Sequence, residues 1–242
     1  MKDSTKHPLV VLGGMGPQAS SQLYKLLIER AISRHKVIEN EDFPFVVLES
    51  LPVPEFFSSQ ARRAEAIAIM RQAIKSAEAY DPVAVGMACN TGHLFLDQIL
   101  EDSRVDFVSL IEVVAEAVKA KGIKRVGLVA SPTTIRTGLY AQALDKQGIG
   151  CLVPPKAQQD ELSAIIHDVI AGKASREEAL RLKAIAKGLI DKDAEGIILG
   201  CTELPLIFPK GEVKYPTFDC LELLTDELLK RYYARYPVSD AD

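Results

Sequence analysis

The stretch Val85-Gly86-Met87-Ala88-Cys89-Asn90-Thr91 runs from a short apolar segment straight into a cysteine and two polar residues. It has a counterpart in Ile197-Ile198-Leu199-Gly200-Cys201-Thr202-Glu203. An apolar run this short, without polar alternation and without helical length, reads as a strand covered on both faces. Each cysteine then stands at the carboxyl end of a strand. Upstream, each half opens with another apolar run that breaks into a turn: Val10-Val11-Leu12-Gly13-Gly14, and Val126-Gly127-Leu128-Val129-Ala130-Ser131. From Val10 to Cys89 is 79 positions and from Val126 to Cys201 is 75, so the two halves share their internal spacing.

Strand-like runs at Leu9–Leu12, Phe45–Leu48, Val83–Met87, Val126–Val129 and Ile197–Leu199 alternate with helix-like stretches. These are Ser20–Arg34, Arg62–Tyr80, Leu110–Lys121, Gly138–Gln147, Asp160–Ala171, Arg176–Ile190 and Leu221–Tyr233. Such alternation is the signature of βαβ units on a parallel sheet, so the fold class is α/β. The repeated spacing predicts two similar lobes: 1–115, with 210–242 returning to it, and 116–209. Ligands of open parallel sheets bind beyond the carboxyl ends of the strands, which places both cysteines toward a cleft between the lobes.

With 242 residues, 48% of them hydrophobic, the chain can bury a full core. A net charge of −4 and basic runs no longer than pairs such as Arg62-Arg63 argue against nucleic acid as a partner. The apolar run Leu9–Leu12, which comes after the polar first eight residues, is too short for a signal-peptide core or a membrane span. No membrane association and a cytoplasmic location are expected. Four cysteines without close pairing do not form a disulfide framework, and in a reducing compartment they stay thiols.

Inverting a stereocentre without a cofactor needs a base on one face of the carbon and an acid on the other, and two thiols in matching positions meet that need. A strand end leading into a helix start is expected to lower the pKa of Cys89, with Asn90 and Thr91 as cap residues before Leu94–Leu100. Charge developing on a substrate carboxylate calls for fixed donors, which Asn90, Thr91 and Thr202 can supply. The Gly13-Gly14-Met15-Gly16 turn lets backbone approach a ligand. Cys151 and Cys220 read as small buried hydrophobes. His93, four residues after Cys89, lacks the remaining ligands of a zinc site, so no metal is expected. His7, His35 and His167 read as ordinary surface or helix residues.

Three motifs carry a resemblance: Gly13-Gly14-Met15-Gly16-Pro17, Ala88-Cys89-Asn90-Thr91-Gly92-His93 and Leu199-Gly200-Cys201-Thr202-Glu203-Leu204. Together, in this order and spacing, they resemble the aspartate/glutamate racemase family over essentially the whole chain. The resemblance implies two Rossmann-like lobes with the active site in the cleft between them, no cofactor, a small amino acid as the ligand, and a homodimer. It implies that Cys201 takes the proton from the L-enantiomer and Cys89 from the D-enantiomer. Asn90, Thr91 and Thr202 would hold the α-carboxylate, Met15 and Gly16 would line the pocket, and Gln60 and Glu203 complete the substrate-binding set.

Two departures bear on the substrate. Many aspartate-specific members of the family have Pro-Asp-Arg-Thr where this chain has Pro54-Glu55-Phe56-Phe57, so the Arg that holds the distal carboxylate is missing, with Arg62 or Arg63 as possible substitutes. A Lys expected just before the helix near Asp160 corresponds to Glu161. Aspartate and/or glutamate is therefore the first substrate class and a neutral or basic amino acid the alternative, beside a two-cysteine diacid isomerase or decarboxylase. Gly14-Met15-Gly16-Pro17-Gln18-Ala19 also matches the dinucleotide-binding fingerprint, but its acidic partner is displaced, since Glu49 lies 35 positions after Gly14. A non-catalytic amino-acid-binding protein is a further alternative, although binding alone needs no second thiol.

Overall fold

The computed structural model describes residues 6–238; residues 1–5 and 239–242, which the sequence assigns to the first lobe, lie outside the described residues. The chain opens with β1 (Leu9–Gly13), α1 (Pro17–His35), β2 (Val46–Ser50), α2 (Gln60–Glu78), β3 (Ala84–Met87), α3 (Leu96–Ile99) and β4 (Phe107–Val108). It continues with α4 (Leu110–Ala120), β5 (Arg125–Val129), α5 (Pro132–Arg136), α6 (Leu139–Asp145), β6 (Gly150–Leu152), α7 (Lys156–Ile170), α8 (Arg176–Ile190), β7 (Ile197–Leu199), β8 (Thr217–Asp219) and α9 (Cys220–Arg235). Two four-stranded parallel sheets result, in the orders β2-β1-β3-β4 and β6-β5-β7-β8. The order is the same in both halves, as the repeated spacing implied.

The interior strands β1, β3 and β7 are buried along their whole length, and β5 along all but Arg125, which explains their unbroken apolar sequences. At the edge of the first sheet β2 departs from that rule: it leaves Leu48 and Ser50 exposed and pairs with a neighbour on one side only. Sequence patterning misses β4, β6 and β8, strands of two or three residues at sheet edges, and the one-turn helix α5, while the helix expected over Leu94–Leu100 is the single turn α3. None is long enough to show a period.

The chain forms two compact units that interleave along the sequence. The first runs to Ala88, takes in Leu94–Ser109 and resumes at Leu224; the second is Cys89–His93 together with Leu110–Leu223. In the first, Leu224 and Leu228 of α9 cover β3 so closely that a Cβ at Gly86 would meet Leu228 Cδ1 at 3.3 Å. The Phe45 amide donates to Tyr232 Oη at 3.0 Å, tying α9 to the entry of β2. In the second, α7 and α8 bury Leu162, Ile165, Leu182, Ile185 and Leu189 against Val129, Ile197 and Leu199. Ser175 and Glu178 form a reciprocal capping box at the start of α8.

Candidate active site

Cys89 and Cys201 each lie two residues past the third strand of a sheet, β3 and β7, and both belong to the second unit. There the carboxyl ends of β5, β7 and β8 bring together the Ser131–Thr134 turn, the Gly200–Glu203 turn and Cys220, and the 89–93 segment joins them. Gly200 is closely surrounded: a Cβ would sit 2.6 Å from Leu128 Cδ1 and 3.0 Å from Tyr140 Cε2. Cys201 is partly exposed and Cys89 buried. All four cysteines are free thiols.

Hydrogen bonds fix the polar groups around the two thiols. Tyr140 Oη donates to Asn90 Oδ1 at 2.5 Å, and Asn90 Nδ2 donates to Cys220 Sγ at 3.6 Å. The amide of Asn90 is thus oriented. The hydroxyls of Thr91 and Thr134 approach to 3.4 Å, and Thr134 Oγ1 is also 3.0 Å from Ser131 Oγ. Thr202 Oγ1 and Cys201 Sγ both donate to Glu203 Oε2, at 3.1 and 3.0 Å. The proton of Thr202 is committed to Glu203, so this hydroxyl presents lone pairs to its surroundings. His93 is pinned at both ring nitrogens: the Leu110 amide donates to Nε2 at 3.1 Å, which makes Nδ1 the donor to the Cys89 carbonyl at 2.8 Å. Burial holds its pKa down at about 4, against the pull of the Cys89 carbonyl.

One expectation is overturned here. Instead of being lowered, the Cys89 thiol is pushed up to about 12, because burial and the Glu203 carboxylate outweigh the backbone amides of Thr91 and Gly92. Beyond Cys89 the chain makes a 3₁₀ turn, Thr91–Phe95, and then one helical turn, too little for a helix dipole to act. Asn90, expected as a cap, turns its side chain to Tyr140 and Cys220 instead. Cys201 is also raised well above the ordinary thiol range, first by burial and then by the charge of Glu203.

The model of the Asp/Glu/hydantoin racemase family matches residues 12–228, spanning both cysteine turns. The chain belongs to that family. It is a racemase-family enzyme, an isomerase. Over 93% of its length it is 22% identical to the broad-specificity amino-acid racemase RacX of Bacillus subtilis, covering 97% of that protein. An aspartate racemase homologue from Pyrococcus horikoshii OT3 superposes with a TM-score of 0.79 at 29% identity, over 93% of this chain and 99% of that one. Picrophilus torridus aspartate racemase has the same fold, with a TM-score of 0.79 at 24% identity, over 93% and 94% of the two chains.

Of the residues that the family resemblance singled out, Cys89, Asn90, Thr91, Cys201, Thr202 and Glu203 gather in the second unit. Met15, Gly16 and Gln60 belong to the first, on the turn after β1 and at the exposed start of α2. Gly14 in that turn has φ +91°, and a Cβ there would meet the Leu51 carbonyl oxygen at 2.3 Å. Its amide donates to Ser20 Oγ at 2.9 Å, so this turn does not present the Gly14 N–H to a phosphate as a dinucleotide cradle does.

Arg63 does not stand free in the 50s loop: its Nε donates to the Phe56 carbonyl at 3.2 Å, and its guanidinium lies over Phe57 and Phe95. Glu161 is paired with Arg181 of α8 at 2.7 Å. Among the described residues no group of three or more His, Cys, Asp or Glu is placed to hold a metal ion, and no helix is long and apolar enough to cross a membrane. Sequence patterning misses Thr134 and Tyr140. The turn carrying Thr134 comes after β5 as the glycine turn comes after β1, a repeat that could have drawn attention to it. A tyrosine buried in a short helix needs a partner for its hydroxyl, which could have signalled Tyr140.

Proposed function

We propose that the chain is a cofactor-independent amino-acid racemase in which Cys89 and Cys201 act on opposite faces of the α-carbon. The observation that carries this reading is the placement of the two thiols at equivalent strand ends, together in one unit, with Asn90, Thr91 and Thr134 beside them. In the forward step a Cys201 thiolate takes the α-proton of the L-enantiomer while the Cys89 thiol gives its proton to the other face; the reverse step exchanges the roles. Hydrogen bonds from Asn90 and Thr91 to the α-carboxylate offset the charge that develops there. The chemistry needs reduced thiols and suits the cytoplasm. A homodimer goes with this reading, supported by exposed apolar side chains at Tyr24, Ile32, Ile38, Phe45 and Leu48 of the first unit.

Aspartate and/or glutamate is the first substrate class, by family membership. A second class, amino acids with neutral or basic side chains, is favoured by a specific observation. Arg63 has its Nε on the Phe56 carbonyl and its guanidinium over Phe57 and Phe95, so its charge is already engaged, and a distal carboxylate left unpaired would cost several kcal/mol. Broad specificity in the RacX relative is consistent with it. Deuterium incorporation at Cα in D2O, followed by NMR over a panel of L- and D-amino acids with no cofactor added, tests both. Exchange with aspartate or glutamate supports the first class and exchange confined to neutral or basic residues the second. No exchange with any member contradicts the racemase reading and points to a diacid isomerase or a binding protein.

A further inference from the structure

Glu203 is a buried carboxylate with half of its hydrogen-bonding capacity unused. It is 3% exposed, and its Oε2 receives Cys201 Sγ and Thr202 Oγ1. Its Oε1 is fully enclosed and has no hydrogen-bond partner among the described residues. The ionisable groups facing it are Cys89, Cys201 and Cys220, all thiols. Lys210, the cation on the neighbouring segment, is tied to Asp219 and Glu222. A buried carboxylate oxygen without a donor is disfavoured unless something else brings the donor.

We propose that Glu203 Oε1 is the seat of the substrate's α-ammonium group. This rests on the racemase reading and specifies which substrate atom Glu203 binds. One carboxylate accepts from the Cys201 sulfur through Oε2 at 3.0 Å, and Oε1 is the oxygen left without a donor. The α-nitrogen is one bond from the carbon that Cys201 must reach, whereas a side-chain ammonium is several bonds removed. The same contact links binding to reactivity: an ammonium on Oε1 neutralises the charge that disfavours thiolates at both Cys201 and Cys89, so arrival of the amino acid prepares the base. No bond is made or broken in this step; the ammonium keeps its protons and donates one hydrogen bond.

The test is binding, read by ligand-observed NMR, of amino acids against their 2-hydroxy twins: L-aspartate against L-malate, L-alanine against L-lactate, and L-lysine against 6-amino-2-hydroxyhexanoate. In the wild type at least one amino acid should bind about tenfold more tightly than its twin, the scale of a charge-assisted hydrogen bond. In Glu203→Gln the preference should collapse while affinity for the hydroxy acid stays, an outcome that general loss of structure would not give. Glu203→Asp, which keeps the carboxylate, should retain part of the preference and guards against misfolding of the Gln variant. A preference unchanged in Glu203→Gln, or absent from every wild-type pair, overturns the proposal. Preferential binding without α-proton exchange would instead sink the racemase reading and leave the ammonium seat standing.

Discussion

Cys89 and Cys201 come after equivalent strands, yet the two turns hold their thiols by different means. The Cys89 turn is built from backbone: its carbonyl is gripped by His93, and the amides of Thr91 and Gly92 face the sulfur. The Cys201 turn is built around a side chain, the Glu203 carboxylate, which accepts a hydrogen bond from the thiol. A duplicated strand-and-turn frame thus carries two thiols of unlike electrostatic setting. Symmetry of fold supplies the equivalent strand ends, while the groups around each turn set the electrostatics of its thiol.

The largest effect expected from this contrast is on thiol reactivity. With its pKa near 12, Cys89 should react with iodoacetamide at pH 8 about a thousandfold more slowly than a free cysteine. Cys201 should also be slow. Removing the charge in Glu203→Gln should accelerate Cys201 by about tenfold and Cys89 by less, because Glu203 ranks directly after burial among the causes at Cys201 and lower at Cys89. Peptide mass spectrometry of each site checks this; equal acceleration would erase the asymmetry.

A second effect concerns the Cys89 turn alone. The folded-state pKa of His93, about 4, lies below its unfolded value of 6.5, so the unfolded chain binds the proton first as pH falls. Stability present above pH 6.5 should decline by about 3 kcal/mol as pH drops to about 4 and then level off with respect to this group. Urea unfolding between about pH 7 and 4 should show this slope, reduced in His93→Gln. An unchanged slope in the variant would mean that His93 is not the buried neutral group described.

The smallest effect tests the link between the turns. Tyr140 fixes Asn90 in one turn and packs against Gly200 in the other. Tyr140→Phe keeps the packing and removes the hydrogen bond, so stability should fall by about 1 kcal/mol. KM should rise several-fold with kcat little changed, since substrate placement is what is lost. A fall in kcat alone would assign Tyr140 a different role.

How much of this was legible in the sequence depended on length and on locality. The long interior strands and helices, and both cysteines at strand ends, are visible as apolar runs and their repeat. The edge strands β4, β6 and β8 escape because two or three residues carry no period, and the exposed face of β2 escapes because an apolar run does not reveal whether its strand lies at an edge. Asn90 and Glu203 were visible beside their cysteines. Their surroundings were not, because Tyr140 reaches Asn90 from 50 residues away and Thr134 reaches Thr91 from 43. The lowered pKa expected at Cys89 failed for a related reason: burial is a property of the packed structure, and it outweighed a local helix-start signal that proved to be a single turn.

Direction-resolved exchange in D2O for Cys89→Ser and Cys201→Ser, using whichever amino acid the wild type racemises, bears on the two-thiol mechanism itself. Each variant should lose racemisation by about 10²–10⁴-fold, the weight of a positioned proton-transfer group. Residual exchange without inversion should be confined to the D-enantiomer in Cys201→Ser and to the L-enantiomer in Cys89→Ser. Racemisation at the wild-type rate in either variant would contradict a mechanism of two opposed thiols.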